Sequence, residues 1–287
     1  MPAWWRTHRT GIFDELDRRL TTHPVPTHNL ESTTIMNQAF NKLVSVCLSA
    51  GLILCASLSF ADVYELRTYT TNEGKLDALN ARFRDHTVRL FKKHGIESLG
   101  YWVPTDGAKS KNTLIYVIKH KSRDAAKASW KAFLTDAEWK KVAAESQKDG
   151  RILAKRPESV YMATTDYSPT WKNGEADDDD VFELRIYKAA EGKLGKLDAR
   201  FRDHTIQLFN KHGIKSVAYW HPTDEPDSND NLIYIIKHDS RDAAKKSWQA
   251  FIADPQWKKA ARESGVGRLA KPPASTYMKA TDYSAIR

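Results

Sequence analysis

The run Val63-Tyr-Glu-Leu-Arg-Thr-Tyr-Thr70 alternates: Tyr64, Leu66 and Thr68 point one way, Glu65, Arg67 and Tyr69 the other. That is the period of a strand. Asn72, Glu73 and Gly74 supply a turn, and Leu76, Leu79, Phe83, Leu90 and Phe91 then recur at helical spacing as far as Gly95, a natural C-cap. Residues 96–103 read as a second strand ended by Pro104, and residues 114–120 as a third after a polar loop. Ser122 can cap a helix through Ala132, Asp136 another through Ala144, and residues 159–164 form a fourth strand. The order βαββααβ predicts an α+β ferredoxin-like plait, with an antiparallel sheet and its helices on one side.

The pattern then repeats. Shifted by 118 residues without a gap, residues 63–145 match residues 181–263 at 52 of 83 positions, which makes the chain a duplication rather than two similar folds. Arg82-Phe-Arg-Asp-His-Thr87 returns as Arg200-Phe-Arg-Asp-His-Thr205, and Tyr101-Trp102 as Tyr219-Trp220. Beyond that the second copy is shorter: Arg151-Ile-Leu-Ala-Lys155 faces Arg268-Leu-Ala-Lys271. Residues 62–168 and 181–287 are therefore two modules, joined by an acidic linker over residues 169–180. Each module leaves one sheet face without helices. Two such faces packed together would hide both, giving an intrachain dimeric α/β barrel with a polar chamber between the sheets.

The N-terminal region has a different character. Residues 36–42 are a short n-region with one lysine, residues 43–58 are apolar, and Ser59-Phe60-Ala61 places small residues at the cleavage positions. This is the anatomy of a signal peptide spanning residues 36–61, cut after Ala61, which predicts a secreted or periplasmic protein without stable membrane insertion. Residues 1–35 then read as a disordered or non-native extension, with Met36 as initiator. Both cysteines, Cys47 and Cys55, fall inside the signal, so the mature chain would hold neither disulfide nor thiolate metal site. The net charge of +9 is spread, +6 on each module and −4 on the linker, which is the mark of a solvated surface more than of a nucleic-acid footprint. Nucleic acid is not expected as a partner; further oligomerisation is left open.

Tyr64-Glu-Leu-Arg-Thr-Tyr69, Gly74-Lys-Leu76, His86, Lys93-His-Gly95, Gly100-Tyr-Trp102 and Asp136-Ala-Glu-Trp139, most of them matched in the second copy, resemble the NIPSNAP family of the dimeric α/β-barrel superfamily. The resemblance covers nearly all of the expected mature chain. It implies the plait fold but no settled reaction, since superfamily relatives include monooxygenases, haem-degrading enzymes and isomerases. Tyr116 and Tyr234 depart from the family pattern, which places histidine in the third strand, and this speaks against a ligating site there.

With Leu66 taken to face the helices, Glu65, Arg67, Tyr69, Glu183, Arg185 and Tyr187 would line the chamber and bind an aromatic or anionic small organic ligand. Tyr101, Trp102, Tyr219 and Trp220 would supply one core and one lining residue per pair. The competing reading of Glu65 and Arg67 is a structural ion pair. An enzyme of monooxygenase or isomerase type would use His86 or His204 as acid-base and Tyr69 or Tyr187 to polarise its substrate; a structural module would use none of them. His86 and His94 lie about 12 Å apart along a helix, too far to share an ion, and His120 and His238 read as exposed strand ends, so neither a metal nor a cofactor is expected.

Overall fold

The computed structural model describes residues 62–174 and 177–286; the expected extension, the signal peptide and both cysteines lie outside the described residues. Module 1 contains strands β1 (Val63–Thr70), β2 (Glu97–Pro104), β3 (Thr113–His120) and β4 (Glu158–Thr164). Its helices are α1 (Leu76–Arg82), α2 (Val88–Lys93), α3 (Arg123–Thr135) and α4 (Ala137–Glu145). Module 2 repeats them as β5 (Val181–Lys188), β6 (Lys215–Pro222), β7 (Asn231–His238) and β8 (Ala274–Ala280), with α5 (Leu194–Arg200), α6 (Ile206–Lys211), α7 (Arg241–Ala253) and α8 (Pro255–Glu263).

The caps behave as the side chains dictate. Ser122 accepts from the Ala125 amide, Asp136 from those of Glu138 and Trp139, and Asp254, followed by Pro255, from that of Gln256. One element differs from expectation. The first helix of each module is interrupted by a turn of π-helix, Phe83–Thr87 and Phe201–Thr205, the same five residues in both copies. There the threonine hydroxyl donates to the carbonyl five residues back, Thr87 to Arg82 and Thr205 to Arg200, each at 3.0 Å.

The eight strands close into one antiparallel barrel, β1-β3-β2-β8-β5-β7-β6-β4. Two seams join the modules: Trp102, Val103 and Pro104 pair with Ala280, Lys279 and Met278, and Met162, Ala163 and Thr164 with Pro222, His221 and Trp220. Closure leaves no free strand edge. The chain segments after β4 and β8 also cross over. Tyr167 stacks on Phe201 of module 2 and Tyr283 on Phe83 of module 1, while Arg202 holds Asp166 and Arg84 holds Asp282.

The barrel interior corrects the sequence expectation. It is filled by Leu66, Trp102, Ile115, Val117, Met162, Phe182, Leu184, Trp220, Ile233, Ile235 and Met278, an apolar core in place of a polar chamber. The physical reason is that the face carrying Tyr64, Leu66 and Thr68 is the one both modules turn inward, and only apolar groups can meet there without losing hydrogen bonds. A second core lies beneath the helices of each module, centred on Phe83, Phe91 and Tyr116 in one and on Phe201, Phe209 and Tyr234 in the other. Among the described residues no helix is long and apolar enough to cross a membrane.

Candidate functional site

Glu65, Arg67 and Tyr69 lie on the outer face of β1, beneath the helices. Strand register puts Arg67 opposite Tyr116 on β3 and Ser159 on β4, so all three point into the layer between sheet and helices. Glu65 is fully buried and accepts four hydrogen bonds, from Arg67 (2.8 Å), Trp130 Nε1 (2.8 Å), Ser159 (2.5 Å) and His120 Nε2 (3.2 Å). Glu183 repeats the arrangement with Arg185 (2.5 Å), Trp248 (2.9 Å), Ser275 (2.6 Å) and His238 (3.1 Å). Burial alone would raise the carboxyl pKa, yet the bond from His120, the charge of Arg67 and the Ser159 and Trp130 donors outweigh it and hold Glu65 at about 2. His120 and His238, expected at exposed strand ends, are instead buried; each is a partner of a glutamate that required one.

Arg67 lies over the Trp130 ring at 4.7 Å and donates to the Tyr69 hydroxyl at 3.3 Å; Arg185 does the same with Trp248 at 4.4 Å and Tyr187 at 3.2 Å. These arginines are neutralised by the adjacent glutamate. Tyr101 and Tyr219 also sit beneath the helices, whereas Trp102 and Trp220 fill the barrel. All four are fully buried, so none lines an open chamber between the modules. Burial pushes the Tyr116 and Tyr234 hydroxyls well above their ordinary pKa, so both stay protonated at neutral pH.

The residues that sequence reasoning passed over are Arg82 and Arg200. Each ends the first α-helical segment of its module, is 7% exposed, and has an Nε without a hydrogen-bond partner. Among the described residues neither forms a salt bridge. Arg82 has a long bond to Ser146 (3.3 Å) and stands over Trp139 at 5.4 Å; Arg200 has only the Trp257 face, at 5.1 Å. A signal was present in the sequence: Arg82 follows Leu79 by three residues and precedes Phe83, inside the apolar stripe, and the same charge interrupts the same stripe in the second copy.

Space adjoins both arginines. Next to Arg200 is a cavity of about 220 Å³ lined by Tyr187, Phe201, Phe209, Phe251, Trp257 and Leu269, among others. Next to Arg82 is a groove of about 530 Å³ edged by Asp85, His86, Glu138, Lys141 and Glu145. His86 is half-buried at that groove, while His204 is exposed and outside the lining of the module 2 cavity. A third space, about 370 Å³, lies among Tyr64, Glu97, Lys119 and the linker residue Trp171.

Two plaits sharing one eight-stranded barrel, with their polar and aromatic residues held between sheet and helices, define a dimeric α/β barrel made within a single chain. The NIPSNAP family model matches it twice, over residues 64–169 and 182–285, and the chain belongs to that family. A NipSnap homolog from Dictyostelium discoideum is 28% identical over 136 residues, 47% of this chain and 52% of that protein, so the chain spans about half of the relative's length. A Fusobacterium nucleatum protein described as a candidate monooxygenase is similar in structure at TM-score 0.52 and 13% identity, over 77% of this chain and 92% of its own. At that identity the likeness concerns fold alone. An Agrobacterium tumefaciens NIPSNAP family protein of unknown function is 22% identical at TM-score 0.34, over 38% of this chain and 94% of its own.

Proposed function

We propose that this is an exported NIPSNAP protein that binds a small organic anion in the layer between the sheet and the helices of its modules. The observation that carries the reading is the pair Arg82 and Arg200: buried arginines that form no salt bridge among the described residues and that adjoin space. A buried charge without a counter-charge is costly in an isolated fold, and a bound anion removes that cost. The expected ligand residues Tyr69 and Tyr187 belong to the same layer. Glu65, Arg67, Glu183 and Arg185 serve it as scaffold, because their charges already cancel.

The test is thermal shift of the mature protein against haem, quinones, phenolic acids and aliphatic carboxylates, since a ligand held by the fold raises its melting temperature. Stabilisation by anions, and loss of that response in the double variant Arg82→Met/Arg200→Met and in at least one of the single variants, is the expected result. No response to any compound would remove the reading. Export is tested separately by the intact mass of secreted protein, which should begin at Asp62.

A catalytic reading has one specific handle, the Tyr187 side chain, bonded by Arg185 and lining the cavity beside Arg200. His86 and His204 lie away from that cavity, so the acid-base role would have to come from elsewhere. Turnover of any ligand that binds separates enzyme from binder.

A further inference from the structure

The two modules are not equivalent. We infer that only module 2 takes a ligand beneath its helices, and that the ligand is a single-ring aromatic monocarboxylate held by Arg200, one per chain. This rests on the function proposed above and narrows it.

The charge comes from counting what surrounds the guanidinium. Arg185, the neighbouring cation, is matched by Glu183 at 2.5 Å. Arg200 forms no salt bridge among the described residues and its Nε has no hydrogen-bond partner, so one negative charge completes the site. A neutral ligand would leave the cation unpaired, and a dianion would bury a charge of its own. The planar fork of arginine fits a carboxylate through two parallel bonds. Tyr187, whose hydroxyl accepts from Arg185, lines the same space.

The walls and the volume give the rest of the class. Phe201, Phe209, Phe251, Trp257 and Tyr187 surround the space, and their faces and edges suit a flat ring. About 220 Å³ lies below the range that accommodates drug-sized ligands, which restricts the occupant to roughly one ring and its substituent.

Module 1 departs from this arrangement at two places. Ser146 bonds Arg82, and Ile152 is fully buried in the core beneath the helices. The second copy is one residue shorter in the segment that carries Ile152, and Leu269 of that segment borders the module 2 cavity.

The experiment titrates full-length mature protein with benzoate, phthalate, benzamide and cyclohexanecarboxylate, following melting temperature and calorimetric stoichiometry, in wild type, Arg200→Met, Arg200→Lys and Arg82→Met. Benzoate should bind at one equivalent per chain, be lost in Arg200→Met, weaken at least tenfold in Arg200→Lys, and persist in Arg82→Met. Arg200→Met without ligand should melt a few degrees higher than wild type, because an unmatched buried charge has gone; an arginine that only held the fold together would give a lower value. Two equivalents of benzoate, or loss in Arg82→Met instead, would overturn the inference while leaving anion binding standing; equal binding of benzamide would overturn both. A failure of every compound tested, the phenolic acids and quinones included, would overturn both.

Discussion

At the scale of single residues, the strongest constraint is the glutamate in the first strand of each module. Glu65 is buried with four donors around it, so its removal strands Arg67, Trp130 and His120 together. Glu65→Ala is expected to cost about 3–5 kcal/mol of unfolding free energy, the range for breaking a buried ion pair, measured by urea denaturation at neutral pH. The acid limb follows from the same group. Its pKa is about 2 in the folded state against 4.5 for the free side chain, so its stabilisation is present above about pH 4.5 and is lost as pH falls toward 2. Glu183 behaves alike, and the two together should remove on the order of 6 kcal/mol across that window, followed as the urea midpoint against pH. Glu65→Gln should flatten the module 1 half of this dependence. Pairing of Glu65 with Arg67 was legible in the sequence, because residues two apart on a strand share a face. Their four-donor shell was not, since Trp130, Ser159 and His120 come from 55 to 94 residues away.

At the scale of elements, the strands and caps follow from local chemistry, while the π-turn does not. Residues 76–93 carry an apolar stripe that suits a continuous α-helix, and the wider turn at Phe83–Thr87 breaks its phase. Single π-turns inside α-helices recur at functional sites. Here the turn accompanies inward placement of Arg82, Phe83 and Thr87 together, all of them buried. Thr87 secures it by donating to the Arg82 carbonyl. Thr87→Val keeps the shape and removes that bond; it is expected to cost about 1 kcal/mol in denaturant unfolding. If the turn positions the guanidinium as proposed, Thr205→Val should also weaken anion binding at Arg200 with little change in the fold by circular dichroism.

At the scale of the whole molecule, the modules depend on one another. Both inter-module seams use strands of each half, and Trp102 of module 1 packs against Phe182 of module 2 at 5.7 Å inside the barrel. Residues 62–168 expressed alone would expose the edges of β2 and β4 and half of an apolar barrel wall. That fragment should run as a homodimer or aggregate in analytical ultracentrifugation, and a stable monomer would contradict the closed barrel. Trp102→Ala should cost roughly 3–5 kcal/mol, the ordinary consequence of an emptied core position, and should lower cooperativity between the halves.

The duplication, the element order, the pairing of modules into a barrel and the family were all determined by the chain's own pattern, because alternation, helical spacing and repeat identity are properties of sequence alone. Which face of each sheet turned inward was decided only in three dimensions. A strand with Tyr64, Leu66 and Thr68 on one side and Glu65, Arg67 and Tyr69 on the other shows two faces but does not say which is the inside when both are covered. The helices settled it: Trp130 and Trp248 bring indole N–H groups that need acceptors, and Glu65 and Glu183 are the acceptors that meet them. Once that layer had taken the charges, the opposite face had to be apolar, and the barrel closed around it. The unmatched arginines came to light the same way, since a missing partner is a fact about neighbours in space rather than neighbours along the chain.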